Sequence, residues 1–413
     1  TEDTGGRNTA IGRSALATLD YNGSGYNTAV GYAAGTAMTT GVENTLIGGQ
    51  AGDALTTGSY NVAIGKNALS TEDAHGKNIA IGWGTLATLN AGADAYNIAI
   101  GHNSGTYLTT GTGNTLIGGL AGDALTTGAA NIALGYLALS TEDAHGWSTA
   151  IGYSALATQN AGTDAFNVAV GADAGKLLTA GTHNTLVGTG AGDALTTGAY
   201  NTALGYSALG SEDARGRNTA IGYAALNVLN AGGDGFNTAV GMEAGLAVST
   251  GLKNTLIGAN AGDALTAGDN NIIIGYAAAA SAVEVSNEIT LGDANITAIR
   301  CADQSIAALS DRRDKADIKD SSYGLDFINT IRPVEFTWDF RPENMAEAKQ
   351  GKKRVGFIAQ ELQEAMPNSE NEILDLVYNI SDERIEAKYG NLIPILVKAI
   401  QDLSEKVKVL ENK

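Results

Sequence analysis

A pentapeptide of the form N-T-A-I-G recurs along the first two thirds of this chain at near-constant spacing, and that recurrence restricts the possible folds more than any other feature. In the first block it begins at Asn8, Asn27, Asn44 and Asn61, and the next copy starts at Asn78, so the intervals are 19, 17, 17 and 17 residues. Four such units make a 70-residue block, and four blocks open at Thr1, Thr71, Thr141 and Ser211. Each pentapeptide reads as a short β-branched strand entered from a turn-prone Asn and left at a Gly, such as Gly12, Gly31, Gly48 or Gly65. One such strand buries nothing by itself. Sixteen of them stacked at ~4.8 Å give a rod of roughly 75–80 Å, with each strand bonded to the coils above and below.

The expected fold is therefore mainly β, a repetitive β-solenoid or β-roll shaft over residues 1–285, with 286–309 as a last strand unit and connector. Alternation places Ala10 on the core side and Thr9 and Ile11 on the other, which predicts a core of small residues throughout. So thin a core favours lateral packing of several chains. The stretch Ala51-Gly52-Asp53-Ala54-Leu55 fits a second strand or a helical turn equally well. Proline is absent before Pro333, as an uninterrupted backbone ladder requires. Because 51 of the 55 glycines precede residue 301 and all four prolines follow it, two different physical objects meet near residue 300.

Charge and cysteine content exclude several functions. Residues 1–300 carry 23 acidic against 9 basic side chains, a surface that repels nucleic acid and anionic membranes. Cys301 is the single cysteine, so neither an internal disulfide nor a cysteine zinc site can form, and no apolar run is long enough to span a bilayer. No metal or cofactor is expected. Asp53, Asp123, Asp193 and Asp263 recur once per block, not on every coil as a calcium-binding roll demands, and read as turn residues. His75 and His145 lie beside acidic residues and read as solvated loop histidines. The longer units end in Tyr26, Tyr96, Phe166 and Phe236, with Asp94, Asp164 and Asp234 nearby in three of them. An aromatic beside a carboxylate on a loop can contact a glycan; an aromatic that plugs the corner of the roll is the favoured reading. Phosphate-loop and paired-carboxylate motifs are missing from the repeats, so no turnover enzyme is expected there.

The repeats resemble the N-x-A-I-G units in the head of trimeric autotransporter adhesins, which implies a left-handed parallel roll built by three chains. A second resemblance begins at Ser310-Asp311-Arg312-Arg313-Asp314-Lys315, which matches the S-D-x-R-x-K opening of the S74 peptidase family. It continues through Leu325 to Trp338, through Gly356-Phe357-Ile358-Ala359-Gln360-Glu361, and through Leu392-Ile393-Pro394 before a terminal helix. That family comprises the intramolecular chaperones of phage tail fibres and endosialidases, and the chain is similar to long tail fibre proteins of cyanophage-like phages. The resemblance implies a small α+β chaperone domain over 310–390. It also implies a homotrimer and a single-turnover cut of the Leu309–Ser310 bond, with Ser310 as nucleophile and Lys315 as base. Arg312 and Arg313 would depress the lysine's pKa, and Gln360 and Glu361 read equally as helping to position the site or as structural residues. The implied setting is a virion tail fibre made in the host cytoplasm; the alternatives are a bacterial surface adhesin-like binding protein and a polysaccharide-degrading tailspike. Its implied partners are other tail fibre proteins and a host cell-surface receptor, a glycan by preference, with no nucleic acid and no membrane insertion.

Spacing alone does not support the Ser–Lys pair, since i and i+5 share neither a helix face nor a strand face. The terminal segment 391–413 is legible without any family: Ile393, Leu396, Ile400, Leu403, Val407 and Leu410 follow the 3-4 spacing of a coiled-coil seam. The alternative is a helix packed back on its own domain. Four nearly identical blocks let neighbouring chains pair out of step by a coil or a block at little cost, which gives a repetitive shaft reason to have its register imposed from one end.

Overall fold

The computed structural model describes residues 6–212, 214, 216–230, 232–296, 298–300, 310–339, 350–366, 371–381 and 384–412. Two compact units result, Thr1–Gly292 and Asp293–Lys413.

The first unit is a parallel β-solenoid of seventeen three-residue strands, from β1 (Thr9–Ile11) to β17 (Ile289–Leu291). Each strand pairs with the next in the chain and always in register: Thr9 faces Thr28, Ala99 faces Leu116, and Ile274 faces Leu291. The segment ending in Ile289-Thr290-Leu291 thus joins the stack as one more rung. Bonding between coils continues past the strands, with the Gly31 N–H donating to Ile11 at 2.7 Å and that of Ala33 to Arg13 at 2.9 Å. The A-G-D-A-L stretch is neither strand nor helix. Leu55 N–H closes a turn on the Gly52 carbonyl at 3.2 Å, with Gly52 at φ +54.

Glycine at the strand exit is dictated by the stacking distance. Gly82 has φ +139, and a Cβ there would lie 2.2 Å from the carbonyl oxygen of Gly101 in the next coil. Any side chain would force the coils apart.

The core is not small throughout, as the alternation had suggested. Ala occupies most strand centres, but Leu46, Leu116, Leu186 and Leu256 fill every fourth one, all fully buried. A second row, including Leu16, Leu69, Leu86 and Leu139, enters from the turn after the strand. Where the strand centre is Leu the turn position is Gly: a Cβ on Gly52 would meet Leu46 Cδ2 at 2.9 Å. Gly also follows Ala29, where a Cβ on Gly35 would meet Leu46 Cδ1 at 2.8 Å and Leu16 Cδ2 at 2.9 Å, so the leucines of adjacent coils fill the space that these glycines leave.

Alongside that row runs a ladder of buried asparagines. Asn114 Oδ1 accepts the backbone N–H of Asn131 at 3.0 Å, while its Nδ2 donates to Asn97 Oδ1 at 3.2 Å and to the Gly128 carbonyl at 2.9 Å. Each side chain satisfies donors and acceptors that the turn leaves open. In the third block Ser148 replaces the asparagine, and Gln159 stands where the other blocks have Leu19, Leu89 and Leu229. Gln159 closes the gap, accepting from Asn167 Nδ2 at 2.9 Å and donating to Ser148 Oγ at 2.8 Å and to Glu142 Oε2 at 3.2 Å. At the last rung Glu288 takes the ladder position and accepts the N–H of Ser281 at 2.9 Å.

The second unit is α+β. A short helix α1 (Leu325–Ile328) precedes the antiparallel pair β18 (Val334–Thr337) and β19 (Lys353–Gly356). Helices α2 (Ala359–Ala365) and α3 (Asn371–Leu374), the pair β20 (Val377–Ser381) and β21 (Arg384–Ala387), and helix α4 (Leu392–Glu411) complete it. Its core gathers Phe327, Met366, Leu374, Leu376, Leu392 and Ile395. Helix α4 uses both of its sides. Leu392, Ile395 and Ala399 are buried in the unit, whereas Ile393, Ile400 and Leu410 are 62%, 66% and 69% exposed. Asp402 on the same helix accepts the N–H of Leu325 at 3.1 Å, tying α4 to the start of α1.

Candidate functional site

The segment that follows residue 309 folds into a single capped turn. Asp311 accepts the N–H of Arg313 at 2.9 Å and so caps a 3-10 turn, Arg312–Asp314, which closes where Lys315 N–H meets the Arg312 carbonyl at 3.2 Å. Asp311 also holds the Arg313 guanidinium, Nη2 to Oδ2 at 2.6 Å, and this pairing keeps the Asp311 carboxyl below its usual range. The chain leaves the turn in the extended conformation at Lys315. Lys315 Nζ consequently lies 2.6 Å from Ser310 Oγ. The turn supplies the approach that no regular element gives to residues five apart.

An amine at this distance can take the hydroxyl proton once it is neutral, the requirement for a Ser–Lys pair. Ser310 and Lys315 are both exposed in the single chain. Arg313 faces Asp311, so its charge is engaged there. Leu309, on the other side of the bond in question, lies outside the described residues. Glu361 pairs with Arg332, accepting from Nε at 3.2 Å, and Gln360 is exposed on α2. Gly356 and Phe357 have packing duties: Phe357 meets Tyr389 edge-on at 5.7 Å and donates its N–H to the tyrosine hydroxyl at 3.3 Å. Asp311 was not singled out by sequence reasoning. The signal was there in an Asp two residues before a backbone donor, a common capping arrangement.

In the shaft, Tyr26, Tyr96, Phe166 and Phe236 are 50%, 59%, 48% and 50% exposed, so they do not plug the corner of the roll. Each has a partner on one ring face. Arg7 sits over Tyr26 at 5.4 Å, Lys77 over Tyr96 at 5.0 Å and Arg217 over Phe236 at 5.5 Å, while His183 leans on Phe166 at 5.3 Å. Their aspartates bind the preceding coil: Asp94 accepts the Gly76 N–H at 3.1 Å and pairs with Lys77 at 2.7 Å, Asp164 accepts the Gly146 N–H at 3.0 Å, and Asp234 pairs with Arg217 at 2.9 Å.

Ligand atoms of Glu72, Asp73 and His75, and of Glu142, Asp143 and His145, lie within 4.8 Å of one another. The glutamates are fully buried and occupied by the fold: Glu72 accepts the N–H groups of His75 at 3.1 Å and Ala91 at 3.2 Å. Asp53, Asp123 and Asp193 are pushed up in pKa by burial. Oδ1 of both Asp53 and Asp123 is buried with no hydrogen-bond partner.

Four ordered motifs and the Ser–Lys approach thus fall in the second unit, and the comparison with known families meets them there. Residues 310–369 match the Peptidase_S74 family, the chaperone of endosialidase. The match begins at Ser310 and takes in the capped turn, α1, β18, β19 and α2. An S74 chaperone segment after a β-solenoid shaft fits a protein of the tail-fibre or tailspike kind. No curated protein and no solved structure matches this chain. Among the described residues no helix is long and apolar enough to cross a membrane.

Proposed function

We propose that this chain is a virion tail fibre whose C-terminal unit is an intramolecular chaperone that trimerises, aligns three shafts and then cuts itself away at Leu309–Ser310. The observation that carries the reading is the 2.6 Å approach of Lys315 Nζ to Ser310 Oγ at the first residue of the chaperone match.

In the chemistry, Lys315 removes the Ser310 hydroxyl proton and Oγ adds to the Leu309 carbonyl carbon. The C–N bond breaks, the amino group of Ser310 takes the proton, and the ester left on Oγ is hydrolysed by water. A lysine in water holds its proton to a pKa near ~10.4. Both groups are exposed in the single chain, so the amine is primed only when neighbouring chains exclude water from it. That couples cleavage to assembly.

The outward strand residues give the shaft its need for such a chaperone. Thr, Val, Ile or Leu occupies these positions at every rung, as in the pairs Thr149/Ile151 and Val168/Val170, so one rung scarcely differs from the next. A unit that associates first fixes the register, and the exposed seam of α4 is suited to that role. The mature fibre would then join other tail fibre proteins and bind a host cell-surface receptor. Denaturing electrophoresis of the wild-type chain beside Ser310→Ala and Lys315→Ala tests the reading. Cleavage in the first and none in the variants is expected; a wild-type multimer that stays full length would refute it.

A further inference from the structure

Two residues before every shaft strand stands one residue with positive φ, and these residues form a row along the shaft. Where the row is continuous its members cover one another. His183 lies between Phe166 at 5.3 Å and Tyr200 at 5.0 Å, and Arg217 lies between Tyr200 at 5.4 Å and Phe236 at 5.5 Å. Such a stack leaves mainly ring edges to solvent. A sugar needs a ring face, where its C–H groups meet the negative side of the quadrupole.

One interruption uncovers faces. Between Arg7 and Lys253, only Gly113 and Ala130 in this row lack a large side chain, and they sit on the successive coils of β7 and β8. Tyr96, on the coil of β6, and Trp147, on that of β9, bound the gap three rungs apart, or ~14 Å at strand spacing. Both are 59% exposed, more than any other tyrosine or phenylalanine of the row. The floor is open: a Cβ on Gly113 would meet nothing nearer than the Ala130 N at 4.0 Å. With one sugar ring about 4 Å from each wall, ~6 Å separates the two sugars, so the slot holds two rings side by side.

The walls are prepared differently. Lys77 covers the far face of Tyr96 at 5.0 Å, donates to its hydroxyl at 2.9 Å and is held by Asp94 at 2.7 Å, which fixes the ring. At position 147 the third block carries Trp where its neighbours have Lys77 and Arg217. Asp94 and Asp234 pair with those cations, whereas Asp164 has no ion pair among the described residues. Its carboxylate accepts the N–H of Gly146 at 3.0 Å, beside Trp147. An uncompensated carboxylate accepts hydrogen bonds from hydroxyls and repels acidic sugars.

We infer that the slot between Tyr96 and Trp147 binds a neutral, branched oligosaccharide, with one sugar ring on each aromatic face and a hydroxyl donating to Asp164. Two rings lie side by side at a branch, whereas an extended linear chain reaches one wall at a time. The inference rests on the receptor binding proposed above and adds the site and the class of ligand.

The test uses the full chain with Trp83→Phe as background, which leaves Trp147 the one tryptophan before residue 300. The probes are an array of neutral branched oligosaccharides, with maltohexaose as the linear and a sialylated oligosaccharide as the acidic counter-probe. Neutral branched members are expected to bind and to change the Trp147 emission. Trp147→Ala should weaken them about tenfold, the worth of one lost ring contact. Gly113→His with Ala130→Tyr fills the slot with the third block's own residues. Gly113 and Ala130, at φ +68 and +56, already hold the backbone conformation of His183 and Tyr200 at +60. The filled chain should therefore match the background chain in hydrogen exchange and sedimentation, yet bind no probe. Undiminished binding by the filled chain, no binding of any array member by the folded background chain, or a preference for either counter-probe overturns the inference. If Trp147 emission instead follows protein concentration and filling the slot lowers the multimer fraction, the slot seats a second copy and the inference fails. Cleavage at Ser310 is read on gels of the same chains. Glycan held in the slot of an uncut chain would sink the chaperone reading and leave the site standing. Binding that survives filling, in a chain that cuts and assembles, would do the reverse.

Discussion

Gln159→Leu is the sharpest probe of how the shaft is held, because three of the four blocks already carry Leu there. In the third block the glutamine makes three side-chain bonds at 1% exposure, to Asn167, Ser148 and Glu142. Two neutral bonds are worth about 1 kcal/mol each and the bond to a charged carboxylate about 1.5–3. Against a loss of about 3.5–5 kcal/mol, the added leucine returns about 1–2 by apolar burial. The expected net cost is about 1.5–4 kcal/mol. The second half of the cycle is Ser148→Asn with Gln159→Leu, which rebuilds the second block's pattern. There Asn78 Oδ1 accepts the Asn97 N–H at 3.1 Å beside a buried Leu89, and Glu72 is served by backbone N–H groups. The double variant should return to within about 1 kcal/mol of wild type, and Ser148→Asn alone completes the cycle that measures the coupling. Hydrogen exchange by mass spectrometry is the suitable assay, since a solenoid opens locally and the effect should stay in coils containing residues 142–167. Unchanged protection in Gln159→Leu, or a double variant no better protected than the single, would refute the asparagine ladder as an energetic element.

Three further outcomes are expected. Asp311→Ala removes the cap that brings Lys315 to Ser310; a cap is worth about 1 kcal/mol, so cleavage should slow about fivefold, with Asp311→Ser restoring most of the rate in a time course on gels. Two sets of carboxylates should respond to acid with opposite sign. Lys398 and the Leu325 N–H hold Asp402 below its usual pKa, so its contribution is present above the unfolded value and lost as pH falls through the folded one. Asp53, Asp123 and Asp193 are raised by burial, so they disfavour the fold at neutral pH and the disadvantage is relieved as pH falls through their folded values. Melting curves should therefore show Asp402→Asn lowering, and the triple Asp→Asn variant raising, neutral-pH stability. Ile400→Glu with Leu403→Glu, on the exposed side of α4, should reduce multimer formation by sedimentation and leave the circular dichroism of the unit unchanged.

The repeat period carried the shaft's architecture because strand, turn and glycine exit recur with the coil, and stacking leaves a three-residue strand few other choices. Leu46 and Gly52 both recur every 70 residues and so were visible in the sequence, yet their relation is a packing contact between a strand and a turn that only the stack reveals. Asn at each strand entrance read as a turn former; its burial and its bonds to neighbouring coils depend on the stack existing. The pairing of Ser148 with Gln159 was the visible sign, since two departures from the repeat in one block point to a shared contact. Ser310 and Lys315 came from family resemblance, and their approach depends on a local turn that five-residue spacing cannot reveal. For α4 the seam and the packed-back helix were set against each other, and the helix has a face for each.

The central claim, that the C-terminal unit is needed to assemble the shaft and dispensable afterwards, is tested most directly by refolding. The full-length Ser310→Ala chain and the purified, already cleaved shaft would be unfolded completely in guanidinium and diluted together under identical conditions, with multimer recovery followed by sedimentation. The account predicts that the uncut chain regains its multimeric shaft and the cleaved shaft does not, though before unfolding the two are equally resistant to denaturation. Equal recovery of the cleaved shaft would contradict it.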